Sequence, residues 1–174
     1  MTMPTLYLIR HAQPAVPDYD NRYPGPNLGE EGHRQAQWIA EVLSKKGIQK
    51  IFASDYPRVI QTLHPFMDQN PSINVQVTKA LWEREPSIET HESLVARVHE
   101  WFSANKDEIL STSTAIFAHC GPINMILEYL DPRKTQLQYP YTSPHGCHTP
   151  CAGIWEIRFT PKGLEGSLTQ FPEQ

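Results

Sequence analysis

The polar and apolar positions of the chain alternate between two periodicities. Residues 5–9 are a nearly unbroken apolar run, Leu6-Tyr7-Leu8-Ile9, that stops abruptly at Arg10-His11. It reads as a buried strand carrying two polar side chains to its carboxyl end. Residues 30–46 repeat at helical spacing through Ala36, Ile39, Val42 and Leu43, with Glu30 and Glu31 in the first turn and Gly47 at the stop. Residues 48–53 predict a second strand. Pro57 then opens a helix with Val59, Ile60, Leu63, Phe66 and Met67 on one face and Pro65 placed to bend it. Residues 73–78 alternate, putting Ile73, Val75 and Val77 on one side of a strand. Thr90 caps a helix carrying Leu94, Val95, Val98, Trp101 and Phe102. A core strand at 114–118, a helix at 122–130 stopped by Asp131-Pro132, and a hairpin of 154–159 with 164–169 complete the pattern, Lys162-Gly163 lying in the turn. Strand–helix alternation predicts an α/β protein, a three-layer α/β/α sandwich with a mostly parallel sheet covered on both faces. No repeat, low-complexity tract or linker interrupts residues 1–174, so one domain is expected.

Composition narrows the function classes. The 39% hydrophobic and 20% charged fractions are those of an ordinary globular protein. A net charge of −4, with no basic stretch, gives no reason to expect nucleic acid. No run is long enough to cross a bilayer and no export signal is visible at the N-terminus, so no membrane partner is expected. The three cysteines are an odd count in a mid-sized chain, which argues for reduced thiols and a cytoplasmic location. Any anionic ligand must therefore be held by a local cluster.

Three strand ends supply such a cluster. The first ends in Arg10-His11, the second runs into Ser54 and Arg58, and the strand at 114–118 ends in His119-Cys120-Gly121. In a parallel sheet these ends share the edge where ligands bind. Two guanidiniums and the amides of nearby helix starts suit a dianion. Two imidazoles in the same place suggest that one attacks while the other balances charge on the transferring oxygens. Taken singly, Arg10-His11 reads as a cap or surface pair, Arg58 as a helix-surface arginine, and His119 as a satisfied core histidine; their joint placement favours the catalytic reading.

Four ordered blocks carry a family resemblance. Leu8-Ile9-Arg10-His11-Ala12, Leu28-Gly29-Glu30-Glu31-Gly32-His33-Arg34-Gln35-Ala36, Ser54-Asp55-Tyr56-Pro57-Arg58-Val59-Ile60-Gln61-Thr62 and Ala118-His119-Cys120-Gly121-Pro122-Ile123 are similar to the motifs of the histidine phosphatase superfamily, with its phosphoglycerate mutase-like fold. The segment from Glu92-Ser93-Leu94 to Arg97-Val98 resembles the helix that precedes the second histidine in small members. The resemblance implies His11 as nucleophile forming a phosphohistidine, and Arg10, Arg58 and His119 gripping the phosphoryl oxygens. It implies Glu83, in Ala80-Leu81-Trp82-Glu83, as proton donor, although a solvated loop glutamate is the competing reading and departures from the pattern leave Glu85 or another residue open for that role. The chain departs from the pattern at Ala12 and Cys120, where members carry glycine, and at Pro17, where mutase-like members carry asparagine. The last point and a short segment after Glu83 argue against a mutase. Cys120 is bulkier than glycine and is expected to crowd the pocket or tilt His119.

The resulting expectation is a phosphatase acting on a small phosphorylated substrate, with no cofactor and no metal at the catalytic site, since a phosphoramidate intermediate needs neither Mg²⁺ nor Zn²⁺. The alternatives are a phosphohistidine protein phosphatase, for which a proton donor is dispensable, and a catalytically silent phosphate-binding module. His145-Gly146-Cys147-His148-Thr149-Pro150-Cys151 places four Cys and His within seven residues. That resembles a metal clamp, yet structural packing or a disulfide is the favoured reading. His64, His91 and His99 read as surface residues. The irregular stretch 13–27, with Asp18, Tyr19, Asp20, Arg22 and Tyr23, is expected to act with the 83–90 loop in selecting the substrate. The physiological substrate and the oligomeric state are open.

Overall fold

A strand buried on both faces needs apolar side chains in both directions, and the first strand has them. In β1 (Thr5–Arg10), Tyr7 and Ile9 belong to one core cluster while Leu6 and Leu8 belong to another. The computed structural model describes residues 3–17 and 23–173. Its elements follow as α1 (Glu30–Leu43), β2 (Lys50–Ala53), α2 (Pro57–Gln69), β3 (Asn74–Val77), a 3-10 turn (Lys79–Leu81), α3 (His91–Ser111), β4 (Thr114–Ala118), α4 (Cys120–Leu130), β5 (Ile154–Thr160) and β6 (Gly163–Thr169). The sheet order is β3-β2-β4-β1-β5-β6. Strands β1 to β4 run parallel, while β5 and β6 are antiparallel additions at one edge.

Helices α1 and α2 bury Ala36, Ile39, Leu43, Val59, Leu63 and Phe66 against Tyr7, Ile9, Ile51 and Phe117. On the opposite face, α3 and α4 bury Leu94, Val98, Phe102, Ile123 and Ile126 against Leu6, Leu8, Phe52, Ile116 and Trp155. The predicted three-layer α/β/α sandwich with a mostly parallel sheet is what forms.

The differences lie at element ends. Strand β3 is an edge strand, so Val77, predicted to share a face with Ile73 and Val75, is exposed, while those two pack against the α1–α2 core. Helix α2 continues through Pro65 to Gln69. Helix α4 begins at Cys120, two residues before the predicted start. Pro122 is compatible with that because first-turn amides have no intrahelical acceptor to lose. In the β5–β6 hairpin, Gly163 pairs with Thr160 rather than sitting in the turn, and its φ of 126° is one that glycine adopts freely.

Register fixes the level of the candidate site. Arg10 pairs with Ala118, and Ala53 with Phe117. The His11 amide donates to the Ala118 carbonyl at 3.0 Å and the Ser54 amide to the Phe117 carbonyl at 3.0 Å. The residues after β1, β2 and β4 thus emerge together at the carboxyl edge of the parallel strands.

Candidate active site

Backbone contacts hold His11 where β1 delivers it. Its Nδ1 lies 2.8 Å from the Ala12 carbonyl oxygen. A carbonyl only accepts, so Nδ1 carries the proton and Nε2 of the neutral ring carries the lone pair. The Ala12 amide donates to Thr62 Oγ1 at 2.9 Å, and that hydroxyl donates to the Arg58 carbonyl at 2.6 Å. One threonine on α2 therefore couples the residue after His11 to the first turn that carries Arg58. Ala12, where the motif it resembles carries glycine, is fully buried in the α1–α2 core. Nearby, a Cβ at Gly32 would sit 2.1 Å from the Gln13 carbonyl oxygen, so a glycine is required for α1 to pass this close to the loop.

His119 caps α4 and is fully buried. Its Nε2 is 2.9 Å from Ser54 Oγ, and Nδ1 has no hydrogen-bond partner among the described residues. The His11 and His119 rings meet at a centroid distance of 5.3 Å, and the Tyr56 ring packs on His119 at 4.6 Å. Arg58 is fully buried with its guanidinium 4.9 Å from the Tyr56 ring centre. Arg10 Nη1 donates to the Thr149 carbonyl at 2.9 Å and touches Cys147 Sγ at 3.5 Å.

Both imidazoles are held well below the ordinary histidine range. Burial is the main cause for each, followed by Arg10 and Arg58 for His11, and by His11, Arg58 and Arg10 for His119. Two neutral rings beside two permanent cations form a patch of positive charge. Chemically, that is a receptor for an oxyanion with a nitrogen nucleophile inside it.

Glu83 follows the 3-10 turn and is partly buried. Both of its carboxylate oxygens accept from the Gly121 amide, at 3.1 and 3.2 Å, and Oε1 also accepts from the Arg84 amide at 2.9 Å. It is not a solvated loop glutamate, since it reaches the first turn of α4 two residues beyond His119. Burial pushes its carboxyl above the usual range, opposed by those amides and by Arg10 and Arg58. A Cβ at Gly121 would lie 2.2 Å from Glu83 Oε1, so the glycine leaves the space that the carboxylate fills.

Arg97, one turn after Leu94 on α3, holds the strand-to-helix connection that presents Glu83. It pairs with Glu89 at 2.7 and 2.8 Å and donates to the carbonyls of Ala80 at 2.8 Å and Trp82 at 3.0 Å. The Trp82 indole donates to Asp55. Arg97 reads from sequence only as part of a helix, because two of its acceptors are backbone oxygens and Glu89 lies eight residues away, outside the spacing that marks a helical ion pair. Thr62 and Thr149 were missed for the same reason.

The expectation of reduced thiols needs correction, while the disulfide reading of the 145–151 cluster holds at Cys147. Cys120 and Cys147 form a disulfide with a Cα–Cα distance of 5.6 Å, within the span such bonds require. An odd count leaves one thiol over but says nothing about which two the fold brings together, so the count does not bear on location. Cys120, expected to crowd the pocket, has its sulfur tied to the 143–151 segment instead. The remaining members of the Cys/His cluster diverge. His148 bonds Thr142 and packs on Tyr139 at 4.5 Å, His145 is exposed, and Cys151 is partly buried. Among the described residues no group of three or more His, Cys, Asp or Glu could hold a metal ion, and no helix is long and apolar enough to cross a membrane.

His64 and His91 are exposed, as expected, whereas His99 is half-buried with Nε2 2.9 Å from the Met125 carbonyl. Of the loop expected to select substrate, Asp18, Tyr19, Asp20 and Arg22 lie outside the described residues. Tyr23 is described, and it stacks on Trp82 at 5.2 Å, joining that loop to the segment preceding Glu83.

Comparison with known proteins bears on the fold that carries this site. The family model of the histidine phosphatase superfamily (branch 1) matches residues 6–85. A search of curated proteins returned no match. Among solved structures, the mycobacterial glucosyl-3-phosphoglycerate phosphatase superposes with a TM-score of 0.70 at 18% identity, covering 95% of this chain and 97% of that one. A phosphoserine phosphatase from Entamoeba histolytica, in complex with 3-phosphoglyceric acid, gives 0.71 at 14% identity over 99% and 98% of the two chains. A putative α-ribazole-5′-phosphate phosphatase from Escherichia coli gives 0.72 at 15% identity over 96% of each. At these identities the likeness is one of fold.

Proposed function

We propose that this chain is a member of the histidine phosphatase superfamily, whose family model matches residues 6–85, and a phosphatase that hydrolyses a phosphate monoester through a phosphohistidine on His11. The observation that carries the reading is the His11 ring itself. It is buried, neutral, and tautomerically fixed by the Ala12 carbonyl so that Nε2 keeps its lone pair, with Arg10, Arg58 and His119 around it.

In the first step Nε2 forms a bond to phosphorus while the ester P–O bond breaks, the leaving oxygen taking the proton of Glu83. The guanidiniums of Arg10 and Arg58 and the His119 ring stabilise the charge on the equatorial oxygens. In the second step the Glu83 carboxylate takes a proton from water. The water oxygen bonds to phosphorus, the N–P bond breaks, and inorganic phosphate leaves with the starting protonation restored. Nitrogen supplies the nucleophile and arginine the positive charge, so no metal-bound hydroxide is required.

The test is turnover of p-nitrophenyl phosphate by wild type and His11→Ala with EDTA present. Metal-independent turnover that the substitution abolishes supports the reading. Phosphate binding without turnover in the wild type would instead favour a catalytically silent binding module.

A further inference from the structure

We propose that a 340 Å³ cleft beside Glu83 is the subsite for the leaving group, and that it selects monoesters whose alcohol carries a flat, uncharged aromatic or heteroaromatic ring. The proposal rests on the phosphatase reading and adds the substrate class.

Continuity is the first support. Tyr56 touches His119 and Arg58 on one side, and on the other lies 5.5 Å from both Trp82 and Tyr23. Tyr23 and Trp82 stack with their planes 10° apart. An aromatic surface therefore runs outward from the phosphoryl clamp without interruption. Glu83 lines the same cleft. The leaving oxygen has to depart next to the group that protonates it, so the alcohol must leave on this side.

The surface chemistry is the second support. Tyr23 is 50% exposed and Ile88 82%, two of five large apolar side chains so exposed among the described residues, and both line this cleft. Two isolated apolar side chains are ordinary, but two facing an aromatic floor beside a reactive centre mark a binding surface. A cleft of this size holds one ring system rather than an extended ligand.

Charge supplies the selectivity. Glu83, Glu85 and Glu89 line the walls together with Lys79 and Arg97. Arg97 is committed to Glu89 and to backbone carbonyls, and Lys79 sits over the Trp82 ring at 5.2 Å. Arg97 and Glu89 cancel each other, Glu85 offsets Lys79, and Glu83 is protonated when the alcohol leaves. A leaving group bearing its own carboxylate therefore finds no surplus positive charge to compensate its desolvation. The cleft thus disfavours the phosphoserine and phosphoglycerate type of alcohol and favours an uncharged ring, which gains offset or edge contacts with Tyr56, Trp82 and Tyr23.

The experiment compares four alkyl monoesters, so that the acidity of the leaving alcohol does not decide the order. They are 2-naphthylmethyl phosphate, ethyl phosphate, O-phosphoserine and 3-phosphoglycerate. The proposal predicts kcat/KM at least about tenfold higher for the naphthylmethyl ester than for the other three. Tyr23→Ala and Trp82→Leu should each lower the naphthylmethyl-to-ethyl ratio by about three- to tenfold, in line with the loss of one aromatic contact. Equal rates, a preference for the carboxylated esters, or a ratio unchanged in both variants would overturn it. No turnover on any of the four would overturn the phosphatase reading instead. The subsite is then judged by calorimetric binding: tighter binding of the naphthylmethyl than the ethyl ester supports it, and equal affinity overturns it.

Discussion

Keeping two histidines neutral inside a cationic pocket should make the fold sensitive to mild acid. His11 and His119 are 1% and 0% exposed, and both are held well below their ordinary value of 6.5. In the unfolded chain each takes up a proton as pH falls through about 6.5, while in the folded chain neither does until much lower pH. The unfolded state therefore binds more protons in that window, and unfolding becomes more favourable on acidification. Between pH 7.5 and 5.5 each histidine costs about 1.4 kcal/mol, so the pair costs about 3 kcal/mol. Glu83 works in the opposite sense, because a carboxyl raised above 4.5 is protonated sooner in the folded chain and recovers part of the loss. Asp131 and Glu156, whose carboxyls are lowered, give up their contribution only at more acid pH. Urea unfolding followed by circular dichroism at both pH values should show stability falling by about 1.5–3 kcal/mol, and His11→Asn combined with His119→Gln should flatten the difference. Wild-type stability that is unchanged or higher at pH 5.5, or a double variant with the same slope, would refute the claim that both rings are buried and neutral.

Other substitutions probe separate parts of the site. Gly121→Ala puts a methyl group where the Glu83 carboxylate lies, and should cut turnover of alkyl phosphates by about a hundredfold while inhibition by inorganic phosphate persists. Glu83→Gln should lower kcat/KM for alkyl esters by a similar factor of about 10² and for p-nitrophenyl phosphate far less, because that ratio reports phosphoryl transfer to His11, where a good leaving group needs no proton. Equal loss on both substrates would mean that Glu83 acts as the brace of α4 and not as a proton donor. The Cys120–Cys147 bond closes a loop with a sequence separation of 27. Cys120→Ser should lower stability in urea by about 3–4 kcal/mol, and an equal midpoint for both proteins would show that the thiols are reduced in solution.

The strands and helices of the core were readable because a two-faced sheet writes itself as apolar runs and covering helices write themselves as 3.6-residue stripes. Arg10, His11, Arg58 and His119 were readable as a set for a related reason, since strand ends in a parallel sheet share one edge. What escaped was set by three-dimensional proximity without periodicity. Val77 was grouped with Ile73 and Val75 yet is exposed, because alternation cannot tell an edge strand from a central one. The contacts of Glu83 with Gly121, of Arg97 with the 80–82 carbonyls, and of Cys120 with Cys147 each join segments that no local pattern relates. The cleft of Tyr23, Tyr56 and Trp82 is assembled from three loops and was foreshadowed only as a length of irregular chain.

The central claim is that Nε2 of His11 bonds to phosphorus. Rapid acid-free denaturation during turnover of a ³²P-labelled monoester, followed by peptide mapping, tests it directly. The account predicts alkali-stable, acid-labile label on the peptide containing His11 and none in His11→Ala. Label on another residue, or undiminished turnover by His11→Ala, would contradict it.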